Sequence, residues 1–530
     1  MPRPKFPNAR VISHPAWSNY SGTISGRKIG LWCSLKGGRE LTVLRQHADG
    51  IRELLRHCFT QNPPAKLRVM GSGWSFSSVI EPDQVALDPS AMTYRHKLTP
   101  DQLAPTYAAR SADGYVPVYF QGGTGVASIN ERLGKDGLAL QTSGGGNGHR
   151  IGGCIATGTH GSAIGIGALH DTVLGLHLIT GPDSAVLVQP ETRTPFSPAF
   201  AAWLEANTGI PTANVVSDKL FHAAQVSLGS LGVVFGVIVE ATPLYHFRIR
   251  RVRARIQSDV MWNAIRTLDT SALHPDIAVK PYHFDVIIHP FPDSEREMMF
   301  ATLMWKEAPT GRFRSPVPGI PRTSSDTMGL ISRLTQGFNG PILAGLSRQA
   351  LQTQILTQLR DDNVPLGQDS FAFPGEVFGP TTLPGGTGAS TEIVVDHKDV
   401  ERAIKTILRV LDEQARRGRA FLGAVAARFV PQTTALLGMN KAPMNCFIEL
   451  PSIRNDDVVR VYRAIWQELD ARAIPFTCHW GQMGGFKKER IRKYYGADAD
   501  AWTAARSQLF SNNATAARVF GAAILDKVGL

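Results

Sequence analysis

The sequence predicts an α+β protein of more than one domain, and three observations predict it. A chain of 530 residues exceeds one ordinary hydrophobic core, so two or three domains are expected. Its first half repeatedly runs a strand into a glycine-rich turn, the pattern of α/β subdomains. Beyond residue 245, strands and helices alternate with gaps of antiparallel length, which reads as a separate α+β domain. A hydrophobic content of 43% with 19% charged residues belongs to a soluble folded chain, not a disordered one.

The elements follow in order. Residues 1–30 are rich in Pro, Gly and Ser and read as an extended N-terminal arm, with no apolar segment of a secretory signal. From Leu31 a short strand and a polar turn at Lys36–Arg39 lead to a helix over Leu41–Cys58. Its Leu44, Ile51, Leu54, Leu55 and Cys58 fall at helical spacing, and Pro63-Pro64 stops it. Lys66–Met70 is a strand that feeds Gly71-Ser72-Gly73-Trp74-Ser75-Phe76-Ser77. Val116–Gln121 runs into Gly122-Gly123-Thr124-Gly125, and a helix over Val126–Leu133 and a strand over Leu138–Gln141 follow. Thr172–Thr180 and Ala185–Gln189 pair around Gly181-Pro182-Asp183. Phe221–Gln225 leads through Val226-Ser227-Leu228-Gly229-Ser230-Leu231-Gly232 into a buried strand, Val233–Ala241, and the first domain closes at Thr242-Pro243. The longest apolar run, Val226–Val239, contains three glycines and two serines and is shorter than the roughly 20 residues of a membrane span.

The stretch Thr142–Ser162 organises the rest. Eight of its 21 residues are glycine, and Arg150 is its only charged side chain. Interior glycines cost up to about 1 kcal/mol each in a helix, so it reads as turns plus a short strand, Ile151–Thr157. Bare backbone of this kind serves a tight connection between strands or an anion-binding concavity.

In the second domain Arg248, Arg250, Arg253 and Arg255 nearly alternate, as on a strand with one wet face or a landing strip for an anion. Further strands are expected at Tyr282–His289, Met298–Trp305, Ser390–Val395, Ala424–Val430 and Asn445–Leu450. Helices are expected at Val400–Arg417 and Asp456–Ala473, and Ala308–Thr327 is a candidate lid. Five scattered cysteines without a CxxC pair argue for reduced thiols, a cytoplasmic location and no metal site. The net charge of +12 is spread out with no nucleic-acid module, so no nucleic-acid partner is expected; it suits solubility and attraction of small anions.

Four glycine clusters in order, Arg68-x-x-Gly-Ser-Gly-Trp-Ser-Phe-Ser, Gln121-Gly-Gly-Thr-Gly, Ile151-Gly-Gly-Cys-Ile-Ala-Thr-Gly-Thr-His-Gly-Ser and Val226-Ser-Leu-Gly-Ser-Leu-Gly, together with His479-Trp480-Gly481 and the Ala427-Arg428-Phe429 strand, carry a family resemblance. The chain resembles the vanillyl-alcohol-oxidase-like (PCMH-type) FAD flavoproteins, most closely their aldonolactone and alditol oxidase branch. A Rossmann site fits less well, because Gly71-Ser-Gly-Trp-Ser-Phe lacks the third glycine. The resemblance implies a two-subdomain PCMH-type FAD-binding domain at 31–245. An α+β substrate or cap domain at 246–473 and a segment at 474–530 that returns to the first domain complete it. It implies FAD contacts from Arg68, Gly71, Ser72, Gly73, Trp74 and Ser75, from Gly122, Gly123 and Thr124, and from Gly144, Gly145 and Asn147. Gly152, Gly153, Gly158, Thr159, His160, Gly161, Ser162, Gly232, Val233 and Trp480 complete that set.

The sequence departs from the family in two places. Trp74 stands where many relatives carry the histidine that bonds to the flavin, so FAD is expected to be non-covalent; Cys154 is expected to be a plain buried thiol. Ala426-Ala427-Arg428 and His479-Trp480-Gly481-Gln482 stand for Glu-x-Arg and His-Trp-Gly-Lys. Arg428 and His479 persist while the carboxylate and the lysine do not, which favours a lactone, a uronic derivative or a less polar alcohol over a polyol. The expected reaction removes a hydride from a carbinol carbon, FAD doing the redox work. His479 is the candidate base, or a histidine fixed by backbone against Trp480. Arg428 is the candidate anion stabiliser, or a structural partner of Glu449, and Gln482 is a candidate donor. Gly144 falls where oxidase relatives have glycine and dehydrogenase relatives alanine, which points to O2 as acceptor. A quinone- or cytochrome-linked dehydrogenase and a flavin-binding protein with a disabled site are the alternatives.

Overall fold

The structure, a computed structural model, describes residues 6, 8–38, 40–82, 84–290, 299–313, 367–378, 388–419 and 421–530. Its first sheet has four strands in the order Ala9–Ser13, Leu31–Leu35, Val85–Asp88, Leu67–Val69. The last three are parallel, and the helix Val43–Thr60 supplies the crossover by burying Leu44, Ile51, Leu54, Leu55 and Cys58. The arm is thus more than extended coil, since Ala9–Ser13 pairs antiparallel with Leu31–Leu35. The second sheet runs Thr212–Val216, Ser184–Gln189, Val173–Gly181, Val233–Pro243, Val116–Gln121, Arg95–Lys97. The hairpin around Gly181-Pro182-Asp183 forms as expected. Val85–Asp88, Thr212–Val216 and the helices Pro198–Thr208 and Asp259–Thr267 are additions to the elements expected.

The main correction falls on the organising stretch. Ile151–Thr157 is a helix, not a strand. Propensity yields to packing here: Ile151 and Ile155 are buried in the main core, and the Gly152 N–H donates to the Gly122 carbonyl at 2.9 Å. A Cβ on Gly152 would itself lie 2.9 Å from that oxygen, so only glycine permits the approach. Gly158, at φ 77°, closes the helix in the left-handed region that glycine adopts without strain.

The third sheet has eight strands in the order Asp369–Ala372, His246–Ala254, Met299–Glu307, His283–Ile288, Val425–Pro431, Met444–Ile453, Gly388–Asp396, Thr477–Cys478. Helices Val400–Arg416, Asp456–Ala471 and Asp259–Thr267 bury their apolar stripes with Phe284, Val286, Ala427, Phe429, Ile448 and Ile393. The opposite parity carries Glu392, Arg428 and Glu449. On the edge, Arg250 and Arg248 both bind Asp369 (Arg250 Nε–Oδ1 2.7 Å), so those two arginines serve as ion-paired strand residues. The candidate lid at Ala308–Thr327 lies outside the described residues from position 314 onward. Among the described residues no helix is long and apolar enough to cross a membrane.

Candidate active site

Three adjoining cavities form one trench. At one end Pro89, Gly122, Gly152, Gly232 and Val234 line a cavity that shares Gly71, Arg150, Gly153 and Gly229 with its neighbour. That middle cavity adds Arg68, Ser72, Gly73 and Cys154, and shares Trp74, Ser75, His149 and Thr159 with a third. The third encloses about 930 Å³ and is lined by Gly144, Gly145, His160, Glu392, Arg428, Glu449, His479 and Gln482. A bare-backbone channel therefore opens onto a charged, buried patch of the cap sheet.

The trench fits a dinucleotide. Gly71 and Gly153 have nothing within 4 Å of where a Cβ would stand, so their backbones face open space along the middle cavity. Arg150 reaches the same wall, with Nη1 donating to the Gly123 carbonyl at 2.7 Å and Nε buried without a partner. Among the described residues, a donor without an acceptor beside open backbone suits a phosphate-bearing ligand.

Not every expected contact lies on the trench. Gly123, Thr124, Asn147, Gly158, Gly161, Ser162, Val233 and Trp480 stand behind it. Thr124 Oγ1 donates to the Gln121 carbonyl at 2.8 Å. Ser162 ties its loop to two strands of the third sheet, donating to the Phe284 carbonyl and accepting from the Phe429 N–H at 2.8 Å. Trp480 is a core residue whose Nε1 donates to the Leu437 carbonyl at 2.9 Å. Arg68 does line the trench, but its guanidinium is spent on the Val79, Leu228 and Gly229 carbonyls, and burial lowers its pKa to about 10. It braces two loops. Trp74 is stacked on Tyr20 at 4.9 Å and abuts His149 at 4.5 Å, so the N-terminal arm supplies part of the wall. Burial pushes the Cys154 thiol up to about 12, which leaves it neutral and unreactive.

Strand register builds the charged patch. Arg428 points from Val425–Pro431, and Ala426, two residues earlier on the same face, stands directly opposite Glu449, which stands opposite Glu392. Arg428 Nη1 lies 2.7 Å from Glu449 Oε2 and 3.4 Å from Glu392 Oε1. The carboxylate absent at Ala426 is thus supplied by the neighbouring strand. Burial alone would lower the Arg428 pKa, but the two carboxylates outweigh it and push it up. Ser390 and Gln482 donate to Glu449 Oε1 at 3.2 and 3.3 Å. Gln482 therefore serves Glu449. Glu449 was expected only as a structural partner of Arg428, a contact the structure forms, and Glu392 was not expected at the site; the available signal was a lone acid inside each of two apolar strands, TEIVV and CFIEL.

His479 takes the second of its two expected forms, a histidine fixed by backbone. Its Nδ1 accepts the Gly481 N–H at 3.0 Å, and burial lowers its pKa to about 4 against the opposing pull of Glu392. The lone pair a base would use is already occupied. His160 Nδ1 lies 2.9 Å from the Gly161 carbonyl, so Nδ1 is the donor and Nε2 is turned to Glu392 Oε2 at 3.2 Å. Among the described residues His160, Glu392 and His479 bring ligand atoms within 4.8 Å of one another. Arg428 beside the same carboxylate and the occupied His479 Nδ1 oppose a cation there. Burial raises the Glu392 pKa, and its neighbours, His160 first and then His479 and Arg428, outweigh it and hold the carboxyl well below its ordinary range.

No protein-family model matches the chain. A D-arabinono-1,4-lactone oxidase of Candida glabrata is 27% identical over 199 residues, 38% of this chain and 33% of that protein. An L-gulono-1,4-lactone dehydrogenase of Mycobacterium tuberculosis is 22% identical over 453 residues, 84% of this chain and 87% of that one. The match to the Candida protein thus spans only about a third of its length. The crystal structure of cholesterol oxidase from B. sterolicum superposes with a TM-score of 0.68 at 14% identity, covering 100% of this chain and 99% of that one. The chain shares the fold of that cholesterol oxidase, and its sequence relatives include lactone oxidases and a lactone dehydrogenase, in line with the branch that the glycine clusters resemble.

Proposed function

We propose that this protein is an FAD-dependent oxidoreductase that oxidises a CH–OH group of a neutral sugar lactone or related alcohol, with O2 as acceptor. One observation carries the reading: the bare-backbone trench ends on a buried patch where Arg428, Glu392, Glu449 and His160 face the same cavity. The proposed organisation is an arm at 1–30, a cofactor domain at 31–245, a cap at 246–473 and a returning segment at 474–530.

Bound FAD would accept the two electrons and the hydrogen that leave the carbinol carbon. The Gly71–Ser75 loop, Gly152-Gly153 and Arg150 would hold its phosphates, and Gly144–Gly146, Trp74 and His160 would border its ring. Trp74 offers no nucleophile and Cys154 is a neutral thiol, so FAD is held without a covalent bond. Arg428 steadies negative charge on a substrate oxygen as its proton departs. Glu449 and Gln482 position Arg428. Two carboxylates sharing one guanidinium disfavour a substrate that carries its own carboxylate, such as the acid formed when a lactone ring opens. His160, Phe447 and the cap sheet keep bulk water from the patch. Five buried free cysteines agree with a reducing, cytoplasmic setting.

Two features bear on the acceptor. A Cβ on Gly144 would come within 2.8 Å of the Thr159 methyl, so packing at this wall favours glycine, the residue of the oxidase relatives. The long match to a lactone dehydrogenase favours a second reading with another acceptor. Anaerobic mixing of the yellow protein with sugar lactones, polyols and sterols tests the activity. Bleaching by a lactone and its reversal by air are expected. Persistent colour with every CH–OH compound would contradict the activity, and bleaching that air does not reverse would support the dehydrogenase.

A further inference from the structure

The His160–Glu392 contact poses a problem that the packing alone does not solve. The Gly161 carbonyl can only accept, so His160 must carry its proton on Nδ1. In neutral His160 the Nε2 lone pair would then face a carboxylate oxygen 3.2 Å away with no hydrogen between them. Two buried acceptors in that arrangement demand a proton, and the cavity they line is where the substrate hydroxyl would bring one. The other groups around the pair do not meet the demand. Arg428 Nη1 reaches Glu392 only at 3.4 Å and is committed to Glu449 at 2.7 Å. The His479 backbone N–H donates to the Glu392 backbone carbonyl, not to its side chain. His149, His170 and Cys446 lie nearby, each held as the neutral form by burial.

We propose that Glu392 and His160 together are the base of this site: Glu392 receives the proton of the substrate hydroxyl and shares it with His160 Nε2. The inference rests on the oxidoreductase reading above. The balance is complete. The O–H bond breaks and its proton goes to the pair, the O–H electrons become the second carbon–oxygen bond, and the hydrogen leaves carbon with its electron pair to the bound cofactor. A weakly basic carboxylate suffices, because the hydroxyl becomes strongly acidic as the hydride departs. Holding the proton across two groups gives the site a proton affinity that belongs to the pair and to neither residue alone. His479, with its Nδ1 occupied, positions the segment that faces the ring.

The test uses the FAD-loaded protein. In the wild type, the anaerobic rate of colour loss with a responsive lactone rises with pH along one limb, because the pair must first be empty. Glu392→Gln lowers the limiting rate at least about 100-fold and abolishes the limb, with little change in the substrate concentration for half-maximal rate. His160→Gln lowers the rate less and moves the limb to lower pH, since the carboxylate loses the group that shares its proton. Glu392→Asp keeps the limb at a reduced rate, and serves if the Gln variant fails to hold FAD. Independently of turnover, nitrogen NMR of labelled histidine shows hydrogen on both His160 nitrogens in the wild type and on Nδ1 alone in Glu392→Gln. A Gln variant within about threefold of wild type with its limb intact, or an Asp variant that alters neither rate nor limb, overturns the proposal. The oxidoreductase reading survives those outcomes, and fails only if wild-type protein is not bleached.

Discussion

Ala426 and Glu449 show how far single residues can be read without knowing strand register. Ala426 marks the place where relatives carry a carboxylate, and by itself it suggests a vacant partner for Arg428. Glu449 stands directly across from it and lies 2.7 Å from the guanidinium. Arg428, His479 and Gln482 were legible because they sit in short contiguous motifs. Glu449 was legible only as a structural partner of Arg428 and Glu392 not at all, because their place in the site depends on which strands pair, which no local pattern encodes. The exchange is testable. Removing one partner of a buried pair costs on the order of 3–5 kcal/mol, so Glu449→Ala is expected to lower both thermal stability and the rate of colour loss. Adding Ala426→Glu to that variant recovers part of both, with a coupling of about 0.5–3 kcal/mol between the two changes. Strictly additive effects would mean that the two positions do not serve the same arginine.

Among elements, the helix Ile151–Thr157 is the instructive failure of propensity. Its glycines argued against a helix, and they are what lets the helix exist where it does. Gly152 rests on the Gly122 backbone, while Gly153, one residue on, faces open space in the trench. The two positions therefore weight folding and binding differently. Gly152→Ala forces a methyl against backbone that cannot step aside and costs about 1–3 kcal/mol, read as a lower melting temperature of the FAD-free protein. Gly153→Ala leaves that melting temperature unchanged and weakens FAD binding, read by titration with the cofactor. If Gly153→Ala bound FAD as tightly as wild type, this wall of the trench would not be a cofactor surface. The long periodic helices Val400–Arg416 and Asp456–Ala471 and the strand Val116–Gln121, by contrast, fell within a residue or two of expectation, because their burial follows one unbroken pattern.

At the scale of the whole molecule, separated glycine loops and three sheets converge on one trench. The first sheet brings the Gly71–Ser75 loop, the second brings Gly122 and Gly232, and the third brings Arg428, Glu392 and Glu449. The N-terminal arm reaches back, with the Asn19 amide on the Ser75 carbonyl at 2.8 Å and the Tyr20 N–H on the Gly73 carbonyl at 2.7 Å. The carboxyl-terminal segment reaches the same loop, the Phe76 N–H donating to the Gly481 carbonyl at 2.7 Å. Order along the chain foretold the glycine loops, and the resemblance foretold the returning segment; only the folded chain shows Tyr20 and Ser21 of the N-terminal arm on the cavity of Arg428. The proposed chemistry requires that the trench accept a dinucleotide. Titration of the FAD-free protein with FAD, followed by acid precipitation, tests this most directly. The account predicts uptake of one FAD per chain and a colourless pellet beneath a yellow supernatant. A protein that takes up no FAD would contradict it.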